Sequence, residues 1–383
     1  MPVVPDVDAV DPFVLEAAVL DPPYLLDPQP AASNAAAQAS AMTSAYAALV
    51  PSRLDWRPMP RHLLTGAELS AAELDALLDR AIELKAAPLS SHALAGRGVA
   101  LIFEKPSTRT RLSFEMGVYE LGGHPVVLRS GEMQLSRGES PRDTVLVLSR
   151  QVAAVGMRTG PDAVLEELAE HAEIPVFNML TALHHPCQAL ADLMTVREAF
   201  GSLAGLRLAY VGDGTNVARS LAILGSLAGM EVAIASPDGY ALEDDLTLPP
   251  EAMGSLTLCR DPEQAVTDAH VLYTDVWVSM GDEDTADRQS IPHSAHTAGS
   301  PSVGDRRDLR PASQQRRTAL APYRIDDALL DLAAADAIAL HCLPAHPGEE
   351  ISGEVLYGPR QRIWDQAENR RHAQKALLEL LVA

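Results

Sequence analysis

The sequence predicts an α/β protein with two doubly wound parallel-sheet domains joined by helices, preceded by a disordered N-terminal tail. From about residue 57, short apolar runs with the length of buried strands alternate with helical stretches. Such alternation is typical of parallel sheets covered by helices on both faces. The chain of 383 residues also exceeds the roughly 250–300 residues at which a single core stops growing. Two domains are therefore expected.

The predicted strands form two groups. The first group covers 99–103, 125–128, 152–157 and 174–177, with helices near 109–121, 141–150 and 162–172 between them. The second group covers 206–211, 231–235, 270–275 and 337–341. A helix near 186–200 joins the groups, and we expect a last helix near 361–381 to return to the first domain. Ahead of them all, Ser70 and Glu73 match a capping box before an apolar helical stripe.

These patterns divide the chain into four segments, namely 1–56, 57–190, 191–358 and 359–383. The first is predicted to be a disordered extension, because residues 1–52 hold six acidic side chains, many prolines and no Lys or Arg. Within the third, residues 289–315 are rich in Ser, Pro, His, Gln and Arg and lack periodicity. We interpret them as a solvent-exposed insertion.

Composition excludes several classes of protein. The formal net charge of −22 argues against nucleic-acid binding, which needs a basic surface. No apolar run reaches the roughly 20 residues that span a bilayer, and acidic residues stand where a secretory signal would be basic. Cys187, Cys259 and Cys342 are far apart and odd in number, as expected in a reducing compartment. A cytoplasmic protein is predicted.

One strand-to-helix turn is rich in anion-binding side chains. After the strand that ends at Phe103 come Ser107, Thr108, Arg109 and Thr110, where a helix begins. Ligands bind at the carboxyl ends of parallel strands, a helix N-terminus offers free N–H donors, and arginine can bind two phosphate oxygens at once. A helix cap with surface arginines is the alternative. The density of hydroxyl and guanidinium groups favours a phosphate site.

The segment 103–111 resembles the carbamoyl phosphate signature of the aspartate and ornithine carbamoyltransferase family. The similarity extends, with gaps, from about residue 57 to the C-terminus, and Glu104 and Lys105 resemble the ornithine branch. It implies that 57–190 binds carbamoyl phosphate and 191–358 binds ornithine. The implied reaction transfers a carbamoyl group to the δ-amine of L-ornithine, giving L-citrulline and phosphate in arginine metabolism. No cofactor and no metal are expected.

Donors to the carbamoyl oxygen are predicted from the chemistry of the transfer. Attack by an amine places negative charge on this oxygen, and fixed donors aimed at it stabilise the transition state. The candidates are Thr110, Arg158, His185 and Gln188, the last two in a His-Pro-Cys-Gln sequence that is similar to a family motif. Without the resemblance, a structural histidine and a surface arginine are equally open.

The resemblance adds three further residues on the carbamoyl phosphate side. Leu343, in His-Cys-Leu-Pro, and Arg370, in the last helix, are expected to reach the carbamoyl group. Gln134 resembles a loop residue that enters the active site of the neighbouring subunit. This likeness implies a homo-oligomer with shared active sites, most simply a trimer.

The ornithine side needs a carboxylate for the α-ammonium and polar groups for the α-carboxylate. Asp275, Ser279 and Met280 resemble the Asp-x-x-x-Ser-Met-Gly motif of the ornithine branch, with a helix cap as the alternative role for Asp275. Asn216 is expected to contact the amino-acid end. The Gly212-Asp213-Gly214 turn lacks the third glycine of a dinucleotide-binding loop.

Cys342 is the predicted catalytic residue on this side, together with Arg158 and His185. The alternative role of Cys342 is inert packing after an apolar strand. Beside Asp275 and a bound cation we expect its thiolate to be favoured, so that it receives or orients the δ-nitrogen.

Alternative functions remain open at this point. A carbamoyltransferase for putrescine or acetylornithine would share the phosphate half of the site. A dehydrogenase would rest only on the Gly212 turn, and a non-catalytic paralogue would show broken motifs, whereas the motifs are intact.

Overall fold

A computed structural model describes residues 60–242, 245–278 and 312–383. The predicted N-terminal extension, most of the 289–315 segment, and Ser279 and Met280 lie outside the described residues. In the described part no helix is long and apolar enough to cross a membrane.

The first sheet has four parallel strands in the order β2-β1-β3-β4. Its strands are β1 (Gly98–Phe103), β2 (His124–Arg129), β3 (Ala154–Arg158) and β4 (Val176–Leu180). The helices of this half are α1 (Ala71–Ala86), α2 (Thr108–Glu120), α3 (Pro141–Leu148) and α4 (Asp162–His171). The predicted capping box is present at α1, where Ser70 and Glu73 bond reciprocally.

Helix α5 (Pro186–Phe200) leads to a second parallel sheet of five strands, in the order β7-β6-β5-β8-β9. Its strands are β5 (Arg207–Val211), β6 (Glu231–Ala235), β7 (Ser255–Cys259), β8 (Val271–Thr274) and β9 (Ile338–His341). The helices are α6 (Asn216–Leu227), α7 (Pro262–Val266), α8 (Ala312–Leu320), α9 (Asp327–Leu330), α10 (Gly353–Leu356) and α11 (Ile363–Val382). Two helix-flanked parallel sheets confirm the predicted fold class.

Two segments differ from the predictions. Strand β7 was not predicted, because it lies at the edge of its sheet and alternates polar with partly exposed apolar residues. Residues 312–315, predicted to belong to the irregular insertion, form the first turn of α8. Proline at 311 followed by Ala, Gln and Arg suits a helix start. The predicted insertion therefore extends too far at its C-terminal end.

Helix α11 packs against α1, α2 and α5. Its Lys375 is fully buried and donates to Glu120 Oε2 at 2.6 Å and to two backbone carbonyl oxygens, those of Leu84 and Pro88, at 3.1 Å each. A buried ammonium is tolerated only when it is paired and hydrogen-bonded. The three acceptors therefore fix the position of α11 against α1 and α2.

Candidate active site

One cleft collects the carboxyl ends of strands from both sheets. It has a volume of about 640 Å³. Of the predicted site residues it is lined by Ser107, Thr108, Arg109, Thr110, Arg158, His185, Gln188, Asn216, Asp275, Cys342, Leu343 and Arg370. Residues more than 200 positions apart in sequence thus share one cleft, as expected at the carboxyl edges of parallel sheets.

The anion-binding turn is built as a helix start. Ser107 caps α2, and its hydroxyl accepts a hydrogen bond from Thr110 N at 3.3 Å. Arg109 Nη2 donates to the carbonyl oxygen of Leu343 at 2.7 Å. Leu343 has a left-handed backbone with φ 59°, which is uncommon for a residue with a side chain and concentrates at functional sites. The second half of the protein therefore contacts the phosphate turn directly.

Three guanidinium groups converge on this end of the cleft. Burial, followed by the charges of Arg370 and Arg109, lowers the pKa of Arg158 to about 10. Burial also lowers the pKa of Arg370, which is only 3% exposed. Arg158 Nε and Arg370 Nε are buried without a hydrogen-bond partner. Like charges held together out of water favour an anionic ligand, which would relieve their repulsion.

Thr110 and Gln188, both predicted to face the carbamoyl group, are joined by Arg370. Arg370 Nη2 donates to Thr110 Oγ1 at 2.8 Å, and Nη1 donates to Gln188 Oε1. His185 is buried, and its Nδ1 has no hydrogen-bond partner. Burial first, and then the charges of Arg370 and Arg158, hold the pKa of His185 well below its usual range. Its imidazole is therefore neutral and has a nitrogen free for a ligand.

Cys342 lies against the carboxyl group of Asp275 in the cleft. Its Sγ donates to Asp275 Oδ1 at 2.5 Å. Burial and then the negative charge of Asp275 hold the pKa of the Cys342 thiol well above its ordinary value. Without a bound cation, the neighbouring carboxylate disfavours a second negative charge, so the thiol is the favoured form. The predicted thiolate beside a bound cation stays a prediction.

Asp275 is itself a buried carboxyl group. Burial raises its pKa, although Val276 N donates to its Oδ1 at 2.7 Å. Asn216 begins α6 and donates to the Thr181 carbonyl oxygen at 2.7 Å. Acceptor and amide groups suitable for an amino acid are thus present in the cleft.

Arg316 and Asp213 are an oppositely charged pair in the cleft that was not predicted from the sequence. Arg316, on α8, forms an ion pair with Asp213, and its guanidinium lies 5.3 Å from the centre of the Tyr240 ring. Both charged groups line the cleft. Arg316 follows the low-complexity segment, where no periodicity fixes which side chain faces inward. Asp213 lies in the loop 212–216, in which only Asn216 is predicted to contact a ligand.

Gln134 does not line this cleft. It lies in a 3-10 turn, Gln134–Arg137, and is exposed. Its predicted role in a neighbouring subunit stays a prediction.

Two groups of potential metal ligands occur in the described part of the chain. One is Asp275, His341 and Cys342, and the other is His346, Glu349 and Glu350. His341 already accepts a bond from Leu343 N at 2.8 Å and contacts Glu350 at 3.2 Å. Internal hydrogen bonds thus use several of the ligand atoms, and the expectation of a metal-free enzyme stays a prediction.

Comparison with protein families gives two matches that cover most of the chain. The carbamoyl-phosphate-binding domain of the aspartate/ornithine carbamoyltransferases matches residues 61–198, and their Asp/Orn-binding domain matches 204–381. The chain belongs to the aspartate/ornithine carbamoyltransferase family. The two matches meet between residues 198 and 204, at the end of α5, and the predicted division into 57–190 and 191–358 stays a prediction.

Individual carbamoyltransferases are similar over nearly their whole length. The ornithine carbamoyltransferase of Acidothermus cellulolyticus is 48% identical over 330 residues, which are 85% of this chain and 97% of that protein. That of Methanoculleus marisnigri is 45% identical over 329 residues, or 85% and 98% of the two chains. The solved structure of ornithine carbamoyltransferase from Pyrococcus furiosus matches with a TM-score of 0.74 and 40% identity, over 84% of this chain and 97% of that one.

Proposed function

We propose that this protein transfers the carbamoyl group of carbamoyl phosphate to the δ-amine of L-ornithine, giving L-citrulline and phosphate. The observation that carries the proposal is the pairing, in one cleft, of three converging guanidiniums with the buried carboxyl group of Asp275. The first set suits a phosphorylated anion and the second suits an amino-acid cation. The curated relatives of this chain are ornithine carbamoyltransferases.

Carbamoyl phosphate binds, in this proposal, at the start of α2. The hydroxyls of Ser107 and Thr108, the free N–H groups of the helix start and the guanidinium of Arg109 hold the phosphate. Arg158, His185 and the Thr110–Arg370–Gln188 cluster then face the carbamoyl group. His185 is neutral and already desolvated, and the one N–H of its ring donates a hydrogen bond to the carbamoyl oxygen.

Ornithine binds next to Cys342. Asp275 accepts the α-ammonium group, while Asn216, Ser279 and Met280 contact the amino-acid end. The thiol of Cys342 donates to Asp275 and accepts a hydrogen bond from the δ-nitrogen, so it orients the nucleophile. The amine attacks the carbonyl carbon, the C–O bond to phosphate breaks, and the departing phosphate takes up the proton that the nitrogen releases.

We further propose a homo-oligomer, a trimer in its simplest form, in which Gln134 completes a neighbouring site. Helix α2 supports this assembly, because its Leu112 and Tyr119 are 59% and 65% exposed. A second cavity of about 640 Å³ lies between α2, the end of β2 and residues 130–131. Apolar side chains beside an open cavity are typical of a protein interface. A cytoplasmic location accompanies the proposed role in amino-acid metabolism.

The test is a colorimetric assay of the ureido product, with carbamoyl phosphate and each of ornithine, acetylornithine, putrescine and aspartate. We expect product from ornithine at a kcat/KM at least a hundredfold above the other three. Acetylornithine lacks the free α-ammonium that Asp275 would bind, and putrescine lacks the α-carboxylate. Product from another amine at a higher rate would reassign the substrate, and no product from any would reject catalysis.

A further inference from the structure

Asp192 is a buried carboxyl group one helical turn beyond Gln188 on α5. Residues four apart lie on the same helix face. Asp192 has no exposed surface and does not line the cleft. A carboxyl group without access to water is costly to bury unless it is hydrogen-bonded or paired. No step described above involves Asp192.

Asp192 is a junction of side-chain hydrogen bonds. Its Oδ1 accepts from Gln188 Nε2 and from Gln366 Nε2, at 2.7 Å each. Gln366 Oε1 in turn accepts from the backbone N–H of His341 at 3.0 Å. The same carboxyl group is therefore joined to the carbamoyl-side amide and to the end of the strand that precedes Cys342.

The bonds to Asp192 set the direction of the Gln188 amide. An ionised carboxylate only accepts hydrogen bonds, so the NH₂ group of Gln188 must face Asp192. The amide oxygen of Gln188 then faces Arg370, which donates to it. If the amide turned over, its NH₂ group would meet the guanidinium and two donors would oppose each other.

We infer that Asp192 is a positioning residue of the carbamoyl transfer proposed above. By accepting bonds from both glutamines, it holds the Gln188 amide oxygen on Arg370 and ties this half of the cleft to the Cys342 strand. Displacement of a reacting group by about 1 Å can lower a rate about a hundredfold. A carboxylate outside the cleft therefore acts on the rate through its two neighbours.

The charge of Asp192 depends on pH near neutrality. Burial raises its pKa to about 7, although the bonds from Gln188, Gln366 and Tyr273 and the charge of Arg370 oppose the shift. The charge of Asp192 adds to burial in raising the pKa of both Tyr273 and Cys342. A raised pKa means that the carboxylate form, and with it the fixed amide, is lost as the pH falls below about 7. We expect kcat to fall on that acidic side.

The first experiment uses Asp192→Asn, which keeps the shape but presents both a donor and an acceptor. We expect kcat for ornithine to fall about 10- to 100-fold and its acidic limb to disappear, while inorganic phosphate binds within about threefold of wild type. In a Gln188→Ala background the same substitution should lower kcat distinctly less, because the part of its effect that passes through Gln188 is already lost. Equal losses in both backgrounds would overturn this role.

The matched control is Thr195→Val, on the same helix. Thr195 is also buried and accepts a bond from α11, from Asn369 Nδ2 at 3.0 Å, but does not line the cleft. Thr195→Val should lower the melting temperature while leaving kcat within about threefold of wild type. A kcat loss in Thr195→Val as large as in Asp192→Asn would reduce the effect to general α5–α11 packing.

A second variant keeps the inference testable if Asp192→Asn does not fold. Gln366→Leu leaves the carboxylate in place but removes its link to His341. We expect kcat to fall and the ornithine KM to rise, with phosphate binding unchanged. Wild-type kinetics in Gln366→Leu would overturn the coupling between the two halves. If the wild-type protein makes no citrulline, the proposed function fails. If the wild-type protein is active and Asp192→Asn is equally active, only the positioning role of Asp192 fails.

Discussion

Replacement of Arg370 by alanine tests the carbamoyl end of the cleft most directly. The guanidinium makes two bonds in the cleft, to Thr110 Oγ1 at 2.8 Å and to Gln188 Oε1. Hydrogen bonds to charged groups contribute roughly 1.5–3 kcal/mol each. If both are used in the transition state, the loss is about 3–6 kcal/mol, or roughly 10²- to 10⁴-fold in kcat/KM.

The assay is citrulline formation under initial-rate conditions, with both substrates varied. Arg371→Ala is the matched control, since it removes the same side chain one position along α11. Arg371 pairs with Glu120 at 3.2 Å and is not part of the cleft, so its kcat/KM should stay within about threefold of wild type. A loss below tenfold in Arg370→Ala, or equal losses in the two variants, would refute the assignment of Arg370 to the carbamoyl group.

Three further predictions concern ornithine, assembly and stability. Burial raises the pKa of Asp275, so its carboxylate becomes protonated at a higher pH than that of an ordinary aspartate, whose pKa is about 4. We therefore expect kcat/KM for ornithine to fall as the pH is lowered and this carboxylate is lost. Asp275→Asn should remove that limb and raise the ornithine KM in pH–rate profiles. Inactive Gln134→Ala and Arg109→Ala chains, mixed and refolded together, should regain part of the wild-type activity; no recovery, or a fully active monomer in sedimentation, would contradict a shared site. Lys375→Met removes the ammonium partner of the buried Glu120 and leaves only Arg371 paired with it. We expect the free energy of unfolding in urea to fall by about 3–5 kcal/mol; a change below 1 kcal/mol would contradict a stabilising role of Lys375.

The strands and helices near the site could be predicted because periodicity and length encode them. Buried strands such as β1 and β5 are continuous apolar runs, and each is followed by a polar turn at the sheet edge. Strand β7 lacks that signal, because an edge strand with one covered face tolerates polar residues. Local patterns therefore reveal interior strands better than edge strands.

The motif residues of the cleft could be predicted, but their partners could not. The pattern around Cys342 suggested chemistry, whereas its protonation state depends on Asp275, which is 67 positions away in sequence. Arg316 carried no signal because it follows a segment without periodicity. Asp192 has the i,i+4 spacing to Gln188, but only the approach of Gln366 from α11 shows why that spacing matters.

The docking of α11 makes catalytic competence more fragile than the sheets themselves. Contacts from this helix join Arg370 to Thr110 across 260 positions and Gln366 to Asp192 across 174. Terminal elements open locally at a smaller free-energy cost than central strands. If α11 detached, the cleft would lose these contacts and its activity while both sheets stayed folded. On heating, activity should therefore be lost before secondary structure. Residual activity then measures the fraction of the protein in which α11 is still docked.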